Sequence, residues 1–399
     1  MTYPTIMPAL TLDFQNSQQL DPRVTFSRTQ TTVQATYINS AGQVAYAAEH
    51  EPRFDHDPET GECLGLLIEE SRANLFDESE NLEAWSSGLW TKTNSVAISP
   101  DGTQNAASLI ANLGTSTQSA GRTVTQSAGI HTCSFFAKSA GLTEVKVRFS
   151  ASSYQAIFEL IGDGDIIQEE DGTASIHKYP NGWYKCVFTI DDPVGETAGW
   201  QIGHSNKQNI DGTTGFYIWG MQVEEGSFPT SYIPTSGTGL ARSPDIAQVT
   251  GANFSSWYNQ TEGSFFVSAD HQGSSTFNIA QFFTVNDGTT TNEIKLFNLD
   301  TDGYLYVYTS GVSQAYFSGG TAPVGSTNRY ASGVIADNYA ISLNGEQVVK
   351  DTSGTQFTNM TVMNIGSSVA LNSQPNGHIA RLSYYNERLT DAELQTLTL

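Results

Sequence analysis

Three tyrosines at every second position are the clearest chemical feature of the sequence. In "GYLYVYTS", Tyr304, Tyr306 and Tyr308 alternate with Leu305 and Val307. Because successive side chains of a strand point to opposite faces, the three phenol rings should share one face of a β-strand. Aromatic faces that carry a polar group stack well against pyranose rings, so the spacing predicts a carbohydrate-binding platform. The alternative is ordinary packing on a half-buried sheet face, with the hydroxyl groups in water.

A second pair of ring side chains occurs earlier in the chain. "GWQIGHSN" places Trp200 and His204 four residues apart, on one face of another predicted strand. An indole and an imidazole on one face form a second candidate sugar contact.

Catalytic motifs are absent from the sequence. It contains no G-x-S-x-G, no H-E-x-x-H, no phosphate-binding loop and no dinucleotide fingerprint. Glycoside hydrolysis needs two carboxylates flanking one bond, and no predicted strand carries a pair in the style E-x-D-x-E. The sequence therefore predicts no enzyme, although carboxylates from separate strands could converge and leave a polysaccharide depolymerase as the alternative.

Two acidic motifs could attract a cation. "GDGDIIQEEDG" (residues 162–172) lacks alternation and is predicted to be a loop, for which Ca²⁺ is the one cofactor considered. "DHD" (residues 55–57) has a single histidine, so a hydrogen-bonded turn is favoured over a metal site. Asp55 and Arg53 are instead expected to pair with neighbouring segments and fix the N-terminal region. No other cofactor is predicted.

Short alternating runs separated by turn residues predict the elements that must position these side chains. The pattern is typical of an all-β protein with two antiparallel β-sandwich domains of jelly-roll and concanavalin A-like type. The predicted regions are 1–94, proline-broken and irregular with one short helix in "SRANLFDESENLEAW"; 95–245, a jelly roll with its linker; and 246–399, a lectin-like sandwich. "LNGE" predicts a hairpin, "NLDTDGY" another, and "TDAE" a helix with a capping box.

The segment between the two predicted sandwiches divides into two parts. "GFYIWGMQV" alternates as a strand, with Tyr217, Trp219, Met221 and Val223 expected on one face. "TSGTGLARSPD" has the composition of a linker, with Arg242 indicating a fixed salt link.

Charge and the N-terminal sequence exclude several partners. The 399 residues carry 18 Lys and Arg against 41 Asp and Glu, a formal charge of −23 that is spread along the chain. Without a basic cluster, neither nucleic acid nor an anionic membrane is an expected partner. No signal peptide is predicted in "MTYPTIMPALTLDF", and no run approaches the length of a membrane span. The three cysteines are odd in number and widely spaced, so Cys133 and Cys186 are predicted to be small buried hydrophobes.

Four segments carry a family resemblance. "RFDHDPETGECLGLLIEESRANLF" (residues 53–76) resembles a segment found near the start of many tailed-bacteriophage virion proteins. "NGWYKCVFTI" and "GFYIWGMQVEEGSFPTSYIPTSG" are similar to closing strands of the carbohydrate-binding-module-like jelly roll in the same proteins. "GHIARLSYYNERLTDAEL" is similar to the end of a concanavalin A-like, laminin-G-like lectin fold.

The resemblance implies a virion structural protein, either a tail fibre or spike or a head fibre. Such a protein would assemble in the host cytoplasm, attach to other virion proteins through residues 1–94 and present its sandwiches to host surface glycan. Fibres are commonly homotrimers, so a homotrimer is expected. A capsid decoration protein without sugar binding is a further alternative.

Overall fold

The computed structural model describes residues 3–29, 34–87, 90–113, 119–151, 153–205, 210–273, 278–355, 357 and 359–399. Its regular structure is almost entirely antiparallel β-sheet, which confirms the all-β prediction. The helices are short: α1 (Phe14–Ser17), α2 (Gly251–Ser255), α3 (Asp391–Leu397) and two 3₁₀ turns (Leu82–Ala84 and Pro180–Gly182). None of the helices in the described ranges is long and apolar enough to cross a lipid bilayer.

The strands follow one another in chain order. In the first quarter they are β1 (Leu10–Asp13), β2 (Thr25–Ser27), β3 (Ala35–Ile38), β4 (Val44–Ala47), β5 (Phe54–His56), β6 (Cys63–Ile68), β7 (Arg72–Asn74), β8 (Ser86–Ser87) and β9 (Trp90–Ala97). The next are β10 (Ala106–Ala111), β11 (Ser119–Thr125), β12 (Gly129–Ala140), β13 (Glu144–Phe149), β14 (Gln155–Glu159), β15 (Asp165–Glu170), β16 (Gly172–Tyr179), β17 (Trp183–Asp192), β18 (Thr197–His204), β19 (Gly215–Glu225) and β20 (Leu240–Arg242). The last are β21 (Ile246–Thr250), β22 (Glu262–Ala269), β23 (Ile279–Asn286), β24 (Glu293–Leu299), β25 (Asp302–Thr309), β26 (Val312–Thr321), β27 (Asn328–Ile335), β28 (Tyr339–Leu343), β29 (Val349–Asp351), β30 (Val362–Ile365) and β31 (Gly377–Tyr385).

Two pairs of sheets form two sandwiches. The first sandwich has sheets in the order β16-β17-β12-β19-β10-β9 and β15-β14-β13-β18-β11-β8. The second has β29-β28-β27-β22-β31-β6-β5, with β1 also on β31, and β2-β21-β30-β23-β24-β25-β26. Each sandwich buries the apolar face of both its sheets, because strands of alternating pattern have one face to hide from water.

Each sandwich has its own aromatic core. In the first, Phe135 and Trp200 are fully buried among aliphatic residues of both sheets. In the second, the rings of Phe265 and Phe283 stack with centroids 4.3 Å apart, and Tyr384 packs 4.8 Å from Phe265. Separate cores are consistent with two folding units, and the predicted boundaries at residues 94 and 245 stay predictions.

Residues before β7 are more ordered than their proline-broken pattern indicated. Strand β1 pairs with β31 in the register Leu10↔Tyr384, β6 pairs with the start of β31, and β2 pairs with β21. Leu10 and Leu12 are buried in the core of the second sandwich. Strands β1, β2, β5 and β6 therefore complete the second sandwich, and the first sandwich is inserted between strands of the second. The predicted short helix at residues 71–85 is a strand, β7, and one 3₁₀ turn.

A bulge at Gly220 changes the predicted faces of β19. Gly220 has φ +63, and the register with β12 shifts by one residue there. The alternation therefore reverses: Met221 and Val223 lie in the core of the first sandwich, whereas Trp219 lies on the outer face, 4.6 Å from the ring of Tyr232. A glycine with positive φ is the usual residue at such a bulge. The prediction that Trp219 shares a face with Met221 is wrong.

The two sandwiches are joined by a two-stranded connection, here called the neck. In the neck, β7 pairs with β20 in the register Leu240↔Asn74, Ala241↔Ala73 and Arg242↔Arg72. The polar segment that was predicted to be a linker thus contributes a paired strand. Two paired strands between the sandwiches restrict the rotation of one sandwich relative to the other more than a single flexible linker would.

Five buried charged residues lie beside the neck and are called the charged seam. Glu69 Oε2 lies 2.6 Å from Arg53 Nη1 and 3.0 Å from Arg242 Nη1. Asp245 bonds Arg28 at 2.9 Å and also Arg53. The salt link predicted for Arg242 is confirmed, as is the pairing predicted for Arg53.

Local turn and cap predictions are confirmed with one refinement. Asn344 and Gly345 both have positive φ and connect β28 to β29, as expected for this hairpin turn. Thr390 and Glu393 form the capping box of α3. The hairpin of β24 and β25 also forms, but it turns at Asp300 and Thr301, two residues before the predicted Asp302-Gly303 pair.

The three cysteines are structural. Cys63, Cys133 and Cys186 are all buried and free, as the alternation predicted for the last two. Burial raises the pKa of the Cys133 and Cys186 thiols well above the usual value, which keeps both unreactive.

Candidate functional site

The three predicted tyrosines lie on the solvent-facing side of β25 in the second sandwich. Tyr304, Tyr306 and Tyr308 are half-buried, whereas Leu305 and Val307 between them are fully buried in the core. The aliphatic face is held against the opposite sheet, so the phenol rings are directed outward by the same packing that stabilises the sandwich. The shared face is confirmed, and sugar binding there stays a prediction.

The rings form a cross-strand arrangement, here called the aromatic ladder. Tyr304 stacks on Phe297 of β24, with centroids 5.7 Å apart and planes at 18°, and on Tyr316 of β26, at 5.3 Å and 14°. Tyr306 meets Tyr316 edge to face at 5.6 Å and 88°, and stacks with Tyr308 at 5.6 Å. Such pairs stabilise one another by about 0.5–1.5 kcal/mol each, so the ladder is a preformed surface.

A shallow cavity of about 380 Å³ lies beside the ladder. Tyr316, which is 53% exposed, forms one side. The Lys295 ammonium lies 5.2 Å from the centroid of the Tyr306 ring and 2.7 Å from Glu293 Oε1. The lining residues are Ile279, Gln281, Lys295, Phe297, Tyr306, Ser313 and Tyr316. The cavity thus combines apolar ring surface with amide, hydroxyl and ammonium groups, and its size suits one or two sugar rings.

The Tyr304 and Tyr306 hydroxyls are neutral at physiological pH. Burial raises the pKa of Tyr304 and of Tyr306, and the neighbouring phenols Tyr316 and Tyr308, respectively, raise it further. A neutral phenol both donates and accepts a hydrogen bond, which suits a sugar hydroxyl.

Similar solved structures are sugar-binding and lectin-like β-sandwiches. They include the CBM40 of the Ruminococcus gnavus IT-sialidase, 18% identical over 37% of this chain and 88% of that chain, with a TM-score of 0.32. Domain 4 of an extracellular GH43 arabinanase from Geobacillus stearothermophilus is 17% identical over 43% and 82%, with a TM-score of 0.30. Domains LG4-5 of the mouse laminin alpha1 chain are 7% identical over 67% and 86%, with a TM-score of 0.23. At these scores nothing about activity follows for this chain.

No protein-family model matches the sequence, and no curated protein matches it.

The second predicted sugar contact is a core element. Trp200 is fully buried, its Nε1 donates to Gln126 Oε1 at 3.0 Å, and its ring packs 5.1 Å from Phe149. His204 is also buried, with its ring 5.7 Å from that of Trp90. Both side chains point into the first sandwich, because their face of β18 carries the apolar residues. Neither ring offers a face to a ligand, which corrects the prediction for Trp200 and His204.

The acidic segment predicted to be a loop is largely a strand. Residues 165–170 form the edge strand β15, where the Glu170 carboxylate accepts from Gln155 Nε2 at 2.7 Å and Glu169 accepts from the Ala174 amide at 2.8 Å. In the part of the chain that the structure describes, no group of three or more His, Cys, Asp or Glu side chains is arranged to hold a metal ion. The Glu169 and Glu170 carboxylates therefore accept hydrogen bonds from neighbouring residues of the protein.

The "DHD" motif forms a junction between distant segments. His378 lies between two carboxylates, with Nε2 3.0 Å from Asp55 and Nδ1 2.8 Å from Asp270. Asp55 also accepts from the amide of Ile38, and His56 Nδ1 is 3.0 Å from the Ile38 carbonyl oxygen. Burial alone would lower the pKa of His378, but Asp270 and Asp55 outweigh it and raise that pKa well above the usual range. The expected pinning role of Asp55 is confirmed.

Sequence reasoning missed Tyr316, Phe297 and Lys295. All three reach the ladder through cross-strand register: Tyr306 lies opposite Lys295 on one side and Tyr316 on the other. Each is in an alternating run on the neighbouring strand, so pairing the two hairpins would have brought them close. The bulge between Val307 and Tyr308 shifts that register and is not visible in the pattern.

Proposed function

We propose that this protein is a structural protein of a tailed-bacteriophage virion, a fibre or spike, and that its second sandwich binds host surface glycan. The observation that carries the glycan proposal is the aromatic ladder with its cavity, where rings of Tyr306 and Tyr316 border polar groups. The virion proposal rests on the resemblance of residues 53–76 and 215–237 to segments of phage virion proteins.

The resembling residues have structural positions that suit this role. Arg53 and Glu69 belong to the charged seam, and Asn74 bonds the backbone of β19 and of the segment after it through Met221 and Ile233. They hold the two sandwiches in one relative position, which is what a protein that displays a binding face on a particle needs. The ladder lies outside this region, on strands β24 to β26.

The proposed mode of binding uses the exposed side of the ladder. A pyranose ring stacks on Tyr316, whose ring is the most exposed of the group, and its hydroxyls meet Ser313, Gln281 and the Tyr306 hydroxyl. Lys295 is held by Glu293 and donates from the cavity edge. No charge on the sugar is required, because the Lys295 ammonium in the cavity lining is already paired with Glu293.

Binding of purified host surface polysaccharide, measured by calorimetry, tests the proposal. Tyr316→Ala and Tyr306→Ala should each weaken binding by roughly tenfold, the effect of losing about 1.4 kcal/mol of contact. Tyr3→Ala is the matched control, because Tyr3 is 64% exposed and belongs neither to the ladder nor to the lining of its cavity. Unchanged affinity in both ladder variants, or no binding of any host glycan by the wild type, would refute the platform.

Two further measurements separate the alternatives. New reducing ends after incubation with host polysaccharide would identify a depolymerase and overturn the proposal of a non-catalytic protein. Light scattering of the purified chain tests the trimer expected of a fibre, and a monomer at all concentrations would contradict it.

A further inference from the structure

A larger cavity lies between the two sandwiches, away from the aromatic ladder. Its volume is about 650 Å³, within the range typical of small-molecule sites. Strands β16 and β17 of the first sandwich form one wall; the hairpin of β3 and β4 and the start of β31 face them. These walls are paired strands fixed by the neck and the charged seam, so the cavity, here called the cleft, is preformed.

The carboxylates that line the cleft are already engaged. Asp55 and Asp270 hold His378, Glu69 holds Arg53, and Asp163 pairs with Lys178 at 2.8 Å. The remaining two are Asp57, which accepts from the Glu59 and Thr60 amides, and Glu59, which lies 3.8 Å from Lys178. The cleft therefore contains few acidic groups free to bind a cation.

Lys185 is the exception among the charged groups in the cleft. It lies on the outer face of β17 and lines the cleft, and its ammonium group makes no hydrogen bond or ion pair with any residue that the structure describes. Burial lowers the pKa of this ammonium, and Glu224, Glu69 and Asp55 oppose that effect from beyond ion-pair distance. A partly desolvated ammonium without a counterion is stabilised by any anionic group that can reach it.

The other residues that line the cleft carry groups that can hydrogen-bond to sugar hydroxyls. Thr173 and Ser175 of β16 line it with hydroxyl groups, Gln272 adds an amide, and Tyr37 adds a half-buried ring. A monoanion fits this setting better than a phosphate monoester, because the carboxylates nearby repel a dianion more strongly.

We propose that the cleft binds a saccharide that carries a carboxylate, of the uronic acid class, with its acid group paired to Lys185. The ligand's hydroxyls meet Thr173, Ser175 and Gln272. This site differs from the ladder in place and in chemistry, since the Lys295 ammonium beside the ladder is already paired with Glu293.

Lysine footprinting on the wild-type protein tests the proposal directly. The chain is acetylated with an amine-reactive ester in the presence of a hyaluronan tetrasaccharide or, separately, neutral maltotetraose, and modification of each lysine is read by mass spectrometry. The uronic acid oligosaccharide should slow Lys185 labelling at least several-fold. Lys138, on β12 of the same sheet and outside the cleft lining, should be unaffected.

Calorimetry with the same tetrasaccharide supplies the second arm. Lys185→Gln should weaken binding by about tenfold or more, and Lys138→Gln should not change it. Tyr306→Ala should leave Lys185 protection intact, so a failed ladder and a failed cleft give different results. Equal protection by maltotetraose, no protection by either sugar, or unchanged affinity in Lys185→Gln would overturn the proposal.

Discussion

Replacing Glu69 by glutamine should destabilise the protein strongly without changing its shape. The charged seam contains three guanidinium groups and two carboxylates, so it already has one positive charge in excess. Glu69→Gln leaves Arg53 and Arg242 facing a neutral amide in a buried site. Removing one partner of a buried ion pair costs about 3–5 kcal/mol, and the lower value applies here because Asp245 still holds Arg53.

The expected loss of about 3 kcal/mol corresponds to a fall in Tm of roughly 6–12 °C, at about 2–4 °C per kcal/mol for a unit of 150–250 residues. Urea denaturation followed by circular dichroism measures the same free energy. Glu59→Gln is the matched control, because Glu59 is 58% exposed and 3.8 Å from its partner Lys178. Its change should stay below about 0.5 kcal/mol.

The pH dependence gives the prediction a second, independent test. Burial acts to raise the pKa of Glu69, but Arg242 and Arg53 outweigh it and hold that pKa well below the usual 4.5. A depressed carboxylate stabilises the folded state above its unfolded pKa, and that contribution is lost as the pH falls below about 4.5. The difference between wild type and Glu69→Gln should therefore shrink from pH 7 to pH 3. A constant difference, or an equal loss in Glu59→Gln, would refute the reasoning.

Two further predictions concern the bulge at Gly220 and the buried ion pairs of His378. Gly220→Ala should cost about 1–2 kcal/mol from its left-handed backbone, plus a packing cost, since an added Cβ would lie 3.3 Å from Phe136. Gly162→Ala has the same strain in open space, and equal urea midpoints for the two variants would contradict the packing part. The raised pKa of His378 means that its pairing with Asp270 stabilises the fold below pH 6.5 and is lost as the pH rises through the raised value. Urea midpoints from pH 7 to 10 should fall more for wild type than for His378→Asn, and parallel curves would exclude this role.

Much of the fold follows from alternation in the sequence, because each strand must hide one face. The face of Tyr304, Tyr306 and Tyr308 is predictable, since Leu305 and Val307 leave no other side to bury. The same reasoning, applied to the apolar face of β18 and not to the type of ring, would have predicted that Trp200 is buried in the core of the first sandwich.

The features that could not be predicted depend on distant pairing or on single-residue irregularities. Leu10 meets Tyr384 across almost the whole chain, and no local pattern encodes that partner. At Gly220 one extra residue reverses the faces of β19, so that Trp219 leaves the expected side. The cleft was equally hidden, because its walls come from β3, β16, β17 and β31, which only the finished fold brings together.

The neck also affects how the gene for such a protein can change by recombination. Its two strands meet at Asn74 and Leu240, whose Cα atoms in an antiparallel pair are about 5 Å apart. The chain enters the first sandwich after Asn74 and returns from it at Leu240, so the two ends of the inserted segment are adjacent. A cassette with adjacent ends can be lost, duplicated or exchanged for another of matching spacing, while the strands on either side keep their partners. Recombination at these two positions would alter what the molecule displays and preserve the sandwich from which it is displayed.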